Sequence, residues 1–231
     1  MNSNNNSEYQ LLDIDNWPRK QHFQFYRTFA QPHFNICSNL NAEKLFKLCK
    51  TAGVSFFDAY IYLSMCAVNQ IESFRYRLAD EQVRIYQQSS IGVIQLADNE
   101  TIRFSEMAYT NNFSDYQKQA AAVSKKAKAE EFLSEKFYSD KTIKNTIYIS
   151  VIPWVSFTSF SHARHSEDKD GIPLFVFGKM NKSDFSMPFS VEVNHSLMDG
   201  LHVGQLVELL QAMFNEPEQY LGLINLDLSS H

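Results

Sequence analysis

A chain of 231 residues that is 44% hydrophobic and 14% aromatic carries enough apolar side-chain mass for one substantial core, and its length requires no second domain. Its formal net charge of -5 offers no basic footprint, which argues against a nucleic-acid partner. No apolar run is long enough to span a bilayer, and the Asn-rich start Met1-Asn2-Ser3-Asn4-Asn5-Asn6 lacks the basic and apolar regions of a secretory leader. Cys37, Cys49 and Cys66 show no paired spacing. A cytoplasmic protein with no membrane partner is the simplest account.

Residues 1–8 read as a disordered polar tail, 9–220 as a single domain and 221–231 as a C-terminal tail. Asn16-Trp17-Pro18 ends an extended entry, with Asp15 or Asn16 as cap and Pro18 in the first turn of a short aromatic helix from Arg19 to Phe29. A strand from Phe34 to Leu40 precedes a helix capped by Asn41 and closed by Gly53. Phe56 to Ile71 is apolar on nearly every face, which predicts a buried helix. Short strands follow at Phe74 to Leu78, Gln82 to Tyr86, Ser90 to Leu96 and Ile102 to Met107, the first two joined by a turn at Asp80-Glu81. The Ala- and Lys-rich run from Phe113 to Phe132 predicts a solvated helix, and Thr146 to Val151 and Pro173 to Lys179 predict two further strands. Strands and helices without strict alternation predict an α+β fold: one large mixed, mostly antiparallel sheet with flanking helices.

The most informative stretch lies near the C-terminus. Phe189, Val191 and Val193 alternate with Ser190, Glu192 and Asn194, the pattern of a strand with one buried face, and His195 falls in phase with the apolar set. Asp199-Gly200 then breaks the run, and Leu201 to Phe214 resumes at helical spacing. The reading is strand, turn, helix, with an inward-pointing histidine at the junction.

His195-x-x-x-Asp199-Gly200 matches the His-x-x-x-Asp-Gly signature of acyl-CoA-dependent acyltransferases. With the block Ser150-Val151-Ile152-Pro153-Trp154-Val155-Ser156-Phe157 and the block Asn16-Trp17-Pro18-Arg19-Lys20-Gln21-His22-Phe23-Gln24-Phe25-Tyr26, it resembles the type A chloramphenicol acetyltransferase family over most of the chain. The resemblance implies acetyl transfer from acetyl-CoA, a co-substrate, to a small hydroxylated acceptor, with no permanently bound cofactor and no metal. Imidazole titrates near neutral pH and suits general base catalysis. In the family this histidine, matching His195, takes the acceptor's proton directly, without an acyl-enzyme. The resemblance further assigns Ser150 to the oxyanion and pairs Asp199 with Arg19 to hold the histidine's loop. Gly200 is expected at a turn that a side chain would obstruct. Trp154 is implied near the CoA tunnel, Tyr26, Phe104 and Phe137 in the acceptor pocket, and a homotrimer with active sites between subunits.

This chain departs from the family at several positions. Asn194 stands where the family has the first of two histidines. His162 and Arg164 replace apolar residues of the drug pocket, at about 1–3 kcal/mol for each polar group left unpaired, which lowers the fit expected for chloramphenicol. Val176 replaces a threonine near the reaction centre and Met180 a tyrosine near the CoA adenine. His162-x-x-His165 with Glu167 and Asp168 is a weak metal pattern without a third fixed ligand. Three alternatives stand beside the first reading: an acetyltransferase for an unrelated hydroxylated metabolite, the acyltransferase core of a 2-oxo acid dehydrogenase complex, and a non-catalytic CoA- or ligand-binding relative. The lack of a lipoyl domain argues against the second, and retention of His195, Ser150, Asp199 and Arg19 against the third.

Overall fold

A computed structural model of the protein describes residues 8–132, 145–164 and 171–223. The main sheet has six strands in the order β2-β9-β8-β7-β5-β6, where β2 is His33–Asn41, β5 Ile91–Leu96, β6 Ile102–Met107, β7 Ile147–Val151, β8 Leu174–Phe177 and β9 Ser186–Asn194. The β5-β7 and β7-β8 pairs are parallel and the others antiparallel, so the sheet is mixed. A separate antiparallel sheet of β1 (Tyr9–Leu11), β4 (Gln82–Tyr86) and β3 (Tyr76–Ala79) stands apart from it, a division that local pattern alone did not reveal.

The described residues also form six α-helices. They are α1 (Lys20–Tyr26), α2 (Glu43–Ala52), α3 (Phe56–Gln70), α4 (Phe113–Ala129), α5 (Gly200–Asn215) and α6 (Pro217–Leu221). The reading of Phe56 onward as a buried helix holds, because α3 buries nine consecutive or near-consecutive side chains from Ala59 to Val68. Ser55 caps it by accepting from the Asp58 N–H at 3.1 Å. Its Tyr60 ring meets Phe177 at 4.7 Å, and Phe177 stacks on Phe189 at 4.6 Å, which joins helix, β8 and β9 in one core. Fully burying each such ring contributes about 1.5–3 kcal/mol relative to exposure. Gly53 ends α2 with φ +66, a left-handed conformation that glycine adopts without strain.

Two local expectations change. No side chain caps α1; instead the Asp13 carboxylate accepts from the Asp15 and Asn16 N–H groups and shapes the turn before it. Asn41 is not the cap of α2, which is Ala42, although Asn41 Oδ1 does accept from the Glu43 N–H at 3.0 Å.

A larger correction concerns β9. Its register aligns Ser190, Glu192 and Asn194 with Cys37, Asn35 and His33 on β2, and Ser190 and Glu192 with Val176 and Leu174 on β8. That second face was read as the open one, yet Ser190, Glu192 and Asn194 are all buried. The run from Val155 to Arg164 lies across it: Val155 accepts from the Lys179 N–H, Phe157 rests against Gly178, and Arg164 reaches Glu192. Burial on both faces comes from a segment thirty residues away in sequence, which strand periodicity cannot register.

Candidate active site

The site is built first on the turn after β9. Asn194 Oδ1 accepts from the backbone N–H of Ser196 at 2.9 Å and from its hydroxyl at 2.7 Å, while the Asn194 carbonyl accepts from Leu197 and Met198. An asparagine side chain thus folds the chain back on itself at the residue before the histidine. The His195 N–H donates to the Pro32 carbonyl at 2.7 Å, which ties the turn to the start of β2. His195 Nδ1 lies 3.1 Å from the Met198 carbonyl. A carbonyl oxygen can only accept, so Nδ1 carries the hydrogen and neutral His195 presents a bare Nε2. The ring lies parallel to Tyr26, centroids 3.9 Å apart at 9°, and Phe34 packs at 4.5 Å. His195 is half-buried.

Asp199 caps α5 through the Leu201 N–H at 3.2 Å. Its Oδ2 forms an ion pair with Arg19, whose second terminal nitrogen donates to the His195 carbonyl at 3.2 Å. One guanidinium therefore holds both ends of the loop. Burial pushes the Asp199 carboxyl up, but Arg19 and His202 outweigh it and hold the group below the usual carboxylate range. Gly200 requires a correction: a Cβ there would meet nothing within 4 Å, and its backbone is not left-handed. Nothing among the described residues explains the glycine.

Ser150 lies elsewhere on the sheet. It pairs with Val176, and Val176 with Ser190, which lies five residues before His195. Two interstrand steps of about 4.8 Å and five residues of about 3.3 Å separate Ser150 and His195 by roughly 19 Å within one chain. Around Ser150, on the same sheet face, lie Tyr148 and Phe104, with ring centroids 6.1 Å apart, and Phe132 stacks on Phe104 at 5.4 Å. Tyr148 escaped notice in the sequence although it lies two residues before Ser150 and so shares its face. Its ring crosses β5 at Gly92, where a Cβ would come within 2.5 Å of it. Tyr26, by contrast, belongs to the His195 end, and Phe137 lies outside the described residues.

The parallel β5-β7 pairing stops at Val93 and Ile149, one residue before Ser150. Beyond that point the strands part, and Ile94, Gln95 and Leu96 on one bank and Val151, Pro153 and Trp154 on the other line a cleft of about 740 Å³. Phe57 and Tyr60 of α3 form part of its apolar wall, and Lys128, Lys179 and Lys182 also line it. Trp154 is 64% exposed at its rim. Asp58 lines it as well, its carboxyl raised by burial against a smaller lowering by the Ser55 hydrogen bond.

Arg164 does not stand unpaired, and that part of the expectation is corrected; the His162 side chain keeps an unpaired nitrogen, as expected. Arg164 Nε donates to Glu192 at 2.5 Å, both side chains being less than 10% exposed, and its terminal nitrogen donates to the Ile172 carbonyl at 3.0 Å. The His162 N–H donates to the other Glu192 oxygen at 3.4 Å, while the buried ring Nε2 has no partner among the described residues. Burial lowers the pKa of His162, Glu192 opposes this and Arg164 adds to it, so the ring is neutral at pH 7. His165, Glu167 and Asp168 lie outside the described residues, among which no three His, Cys, Asp or Glu side chains are grouped to hold a metal. No helix among them is long and apolar enough to cross a membrane.

Similarity to known proteins places this mixed sheet, with its braced histidine and its cleft, among the acyltransferases. The family model described as chloramphenicol acetyltransferase matches residues 7–211, and the chain belongs to that family. It is 29% identical over 211 residues to chloramphenicol acetyltransferase of Proteus mirabilis, covering 89% of this chain and 94% of that one. It is 30% identical over 209 residues to chloramphenicol acetyltransferase 2 of Escherichia coli, covering 89% and 96%. A solved chloramphenicol acetyltransferase superposes with a TM-score of 0.81 at 26% identity over 90% of this chain and 100% of that chain. A probable dihydrolipoamide acetyltransferase from Listeria monocytogenes shares the fold, with a TM-score of 0.62 at 14% identity over 85% and 89% of the two chains. The protein is an enzyme, an acetyl-CoA-dependent acetyltransferase.

Proposed function

We propose that the enzyme moves the acetyl group of acetyl-CoA directly onto a hydroxyl of chloramphenicol or a related small acceptor, with His195 as general base, in a homotrimer whose neighbouring copies share each site. The observation that carries this is the anchoring of His195: Nδ1–H donates to the Met198 carbonyl, leaving Nε2 as a fixed lone pair. As the acceptor oxygen attacks the thioester carbonyl, Nε2 takes its proton. The carbonyl π electrons move onto oxygen, and the Ser150 hydroxyl donates to that oxyanion. Collapse restores the carbonyl, breaks the carbon–sulfur bond and expels CoA thiolate, which takes the proton from the imidazolium. The base is regenerated, and no acyl-enzyme forms.

The separation of about 19 Å between Ser150 and His195 supports a site completed by a second copy, since one tetrahedral carbon cannot touch both. Phe25 and Phe29, 58% and 44% exposed, cluster with Tyr26 beside the histidine and supply apolar surface for such a contact. The cleft suits acetyl-CoA: its apolar throat fits the pantetheine arm, its lysines fit phosphates, and Val151, the residue after Ser150, lines it.

Thiol release from acetyl-CoA in the presence of chloramphenicol tests the reading, with His195→Ala in parallel. Acceptor-dependent release that vanishes in the variant supports it; release that persists in His195→Ala overturns the assignment of the base. A second acceptor is favoured by one feature, the buried Nε2 of His162, which has no partner among the described residues and which an acceptor with a polar group opposite it would satisfy. Turnover of hydroxylated metabolites without turnover of the drug supports that version.

A further inference from the structure

The peptide unit between Met198 and Asp199 has a histidine on each side. Its carbonyl oxygen, on Met198, accepts from His195 Nδ1 at 3.1 Å. Its N–H, on Asp199, lies 3.1 Å from Nδ1 of His202, one turn into α5. The same His202 nitrogen lies 2.9 Å from Asp199 Oδ1, while the other carboxylate oxygen pairs with Arg19. With Nδ1 bare, His202 accepts the Asp199 N–H; with Nδ1 protonated, it donates to Oδ1. Both contacts end on Asp199, so in either state His202 restrains the residue that carries half of this peptide plane.

We infer that His202 is a positioning residue for the catalytic base, acting through the Met198–Asp199 peptide. The rotation of that plane sets where the Met198 oxygen points, and the oxygen in turn sets the tilt of the His195 ring and which of its nitrogens bears the hydrogen. Polarisation along the amide adds to this, because a hydrogen bond to the N–H strengthens the carbonyl as an acceptor. Arg19 braces the loop from outside through Asp199 Oδ2 and the His195 carbonyl, whereas His202 braces it from within the helix. Without the His202 side chain, the Asp199 N–H loses its partner while the Asp199 carboxylate keeps the backbone N–H groups of Leu201 and His202, so the plane loses the restraint on its N–H side.

This inference rests on the acetyltransferase reading of His195, and its test separates the two. His202→Ala and His202→Asn are compared with the intact protein in steady-state thiol release and in NMR of the folded protein carrying nitrogen-15 histidine. His202→Ala is expected to lower kcat about 10- to 100-fold, the range for a displacement of about 1 Å at a reacting group, with KM for acetyl-CoA within twofold. His202→Asn, whose side-chain oxygen accepts the same N–H, is expected to recover most of the loss, which a purely structural role would not produce. The His195 signals should show a hydrogen on Nδ1 in the intact protein and a mixture of tautomers in His202→Ala. Unchanged kcat together with an unchanged His195 spectrum overturns the inference, as does loss of kcat that the asparagine fails to restore. If the intact protein turns over no acceptor, the acetyltransferase reading fails by itself, and the spectrum still decides the role of His202.

Discussion

Arg19→Ala is the substitution that best separates holding the base from holding the fold. It removes the cation from Asp199 Oδ2 and the donor from the His195 carbonyl, but leaves the Leu201 N–H and His202 on Asp199. A charge-assisted hydrogen bond contributes about 1.5–3 kcal/mol. The Asp199 side chain is 35% exposed, so water replaces part of the lost partner, and the stability loss falls to about 1–2 kcal/mol, or about 2–8 °C in Tm. Against a typical stability of about 5–15 kcal/mol the variant remains folded at 25 °C. Its kcat nevertheless should fall about 10- to 100-fold, because the loop that presents Nε2 loses an anchor. KM for acetyl-CoA should not change, since the cleft is lined by other elements. Thiol release and a thermal melt on one preparation measure both quantities. A melt that drops while kcat stays at the level of the intact enzyme would refute the reasoning, and so would a rise in KM for acetyl-CoA with kcat unchanged. The pH dependence carries a sign as well. Because the folded Asp199 carboxyl is held low, its contribution is complete above the unfolded value of about 3.9 and is lost as pH falls from there through the lowered folded value. Asp199→Asn should lack that acid-side loss.

Other outcomes follow from the same geometry. Arg164→Ala leaves the Glu192 carboxylate buried without its cation and should destabilise the protein by about 3–5 kcal/mol; Arg164→Met with Glu192→Gln should recover much of it in chemical denaturation. His162 is held neutral in the fold, so the unfolded chain takes up its proton first. Stability should decline as pH falls below about 6.5, until the lowered folded value is reached, and His162→Leu should flatten that slope. Gly92→Ala places a methyl 2.5 Å from the Tyr148 ring and must displace it. A loss of about 1–3 kcal/mol in stability and a raised KM for the acceptor, with KM for acetyl-CoA kept, are the expected readings.

The buried helix α3, the strand–turn–helix at His195 and the mixed α+β architecture were legible because local apolar spacing carries them. Burial of Glu192 was not, because its cover comes from the Val155–Arg164 run and its charge is met by Arg164, far along the chain. The distance between Ser150 and His195 was hidden for a related reason: it depends on strand order, which places β8 between β7 and β9. His202 stood in plain view one turn beyond Asp199, but its relevance depends on the orientation of a single peptide plane. Tyr148 needed only the period-2 rule applied backward from Ser150. Spacing therefore singled out the candidate residues, and long-range pairing determines which of them lie together.

The sharing of one site between copies is tested most directly by mixing two defective chains. His195→Ala removes the proposed base and Ser150→Ala the proposed oxyanion donor, so neither should approach normal turnover alone. If the two are unfolded together and refolded, mixed oligomers contain interfaces at which an intact His195 from one copy faces an intact Ser150 from its neighbour. The account predicts acceptor-dependent thiol release well above the mean of the two parents. Release no greater than that mean, with mixed oligomers confirmed by differently tagged chains on a native gel, would contradict it.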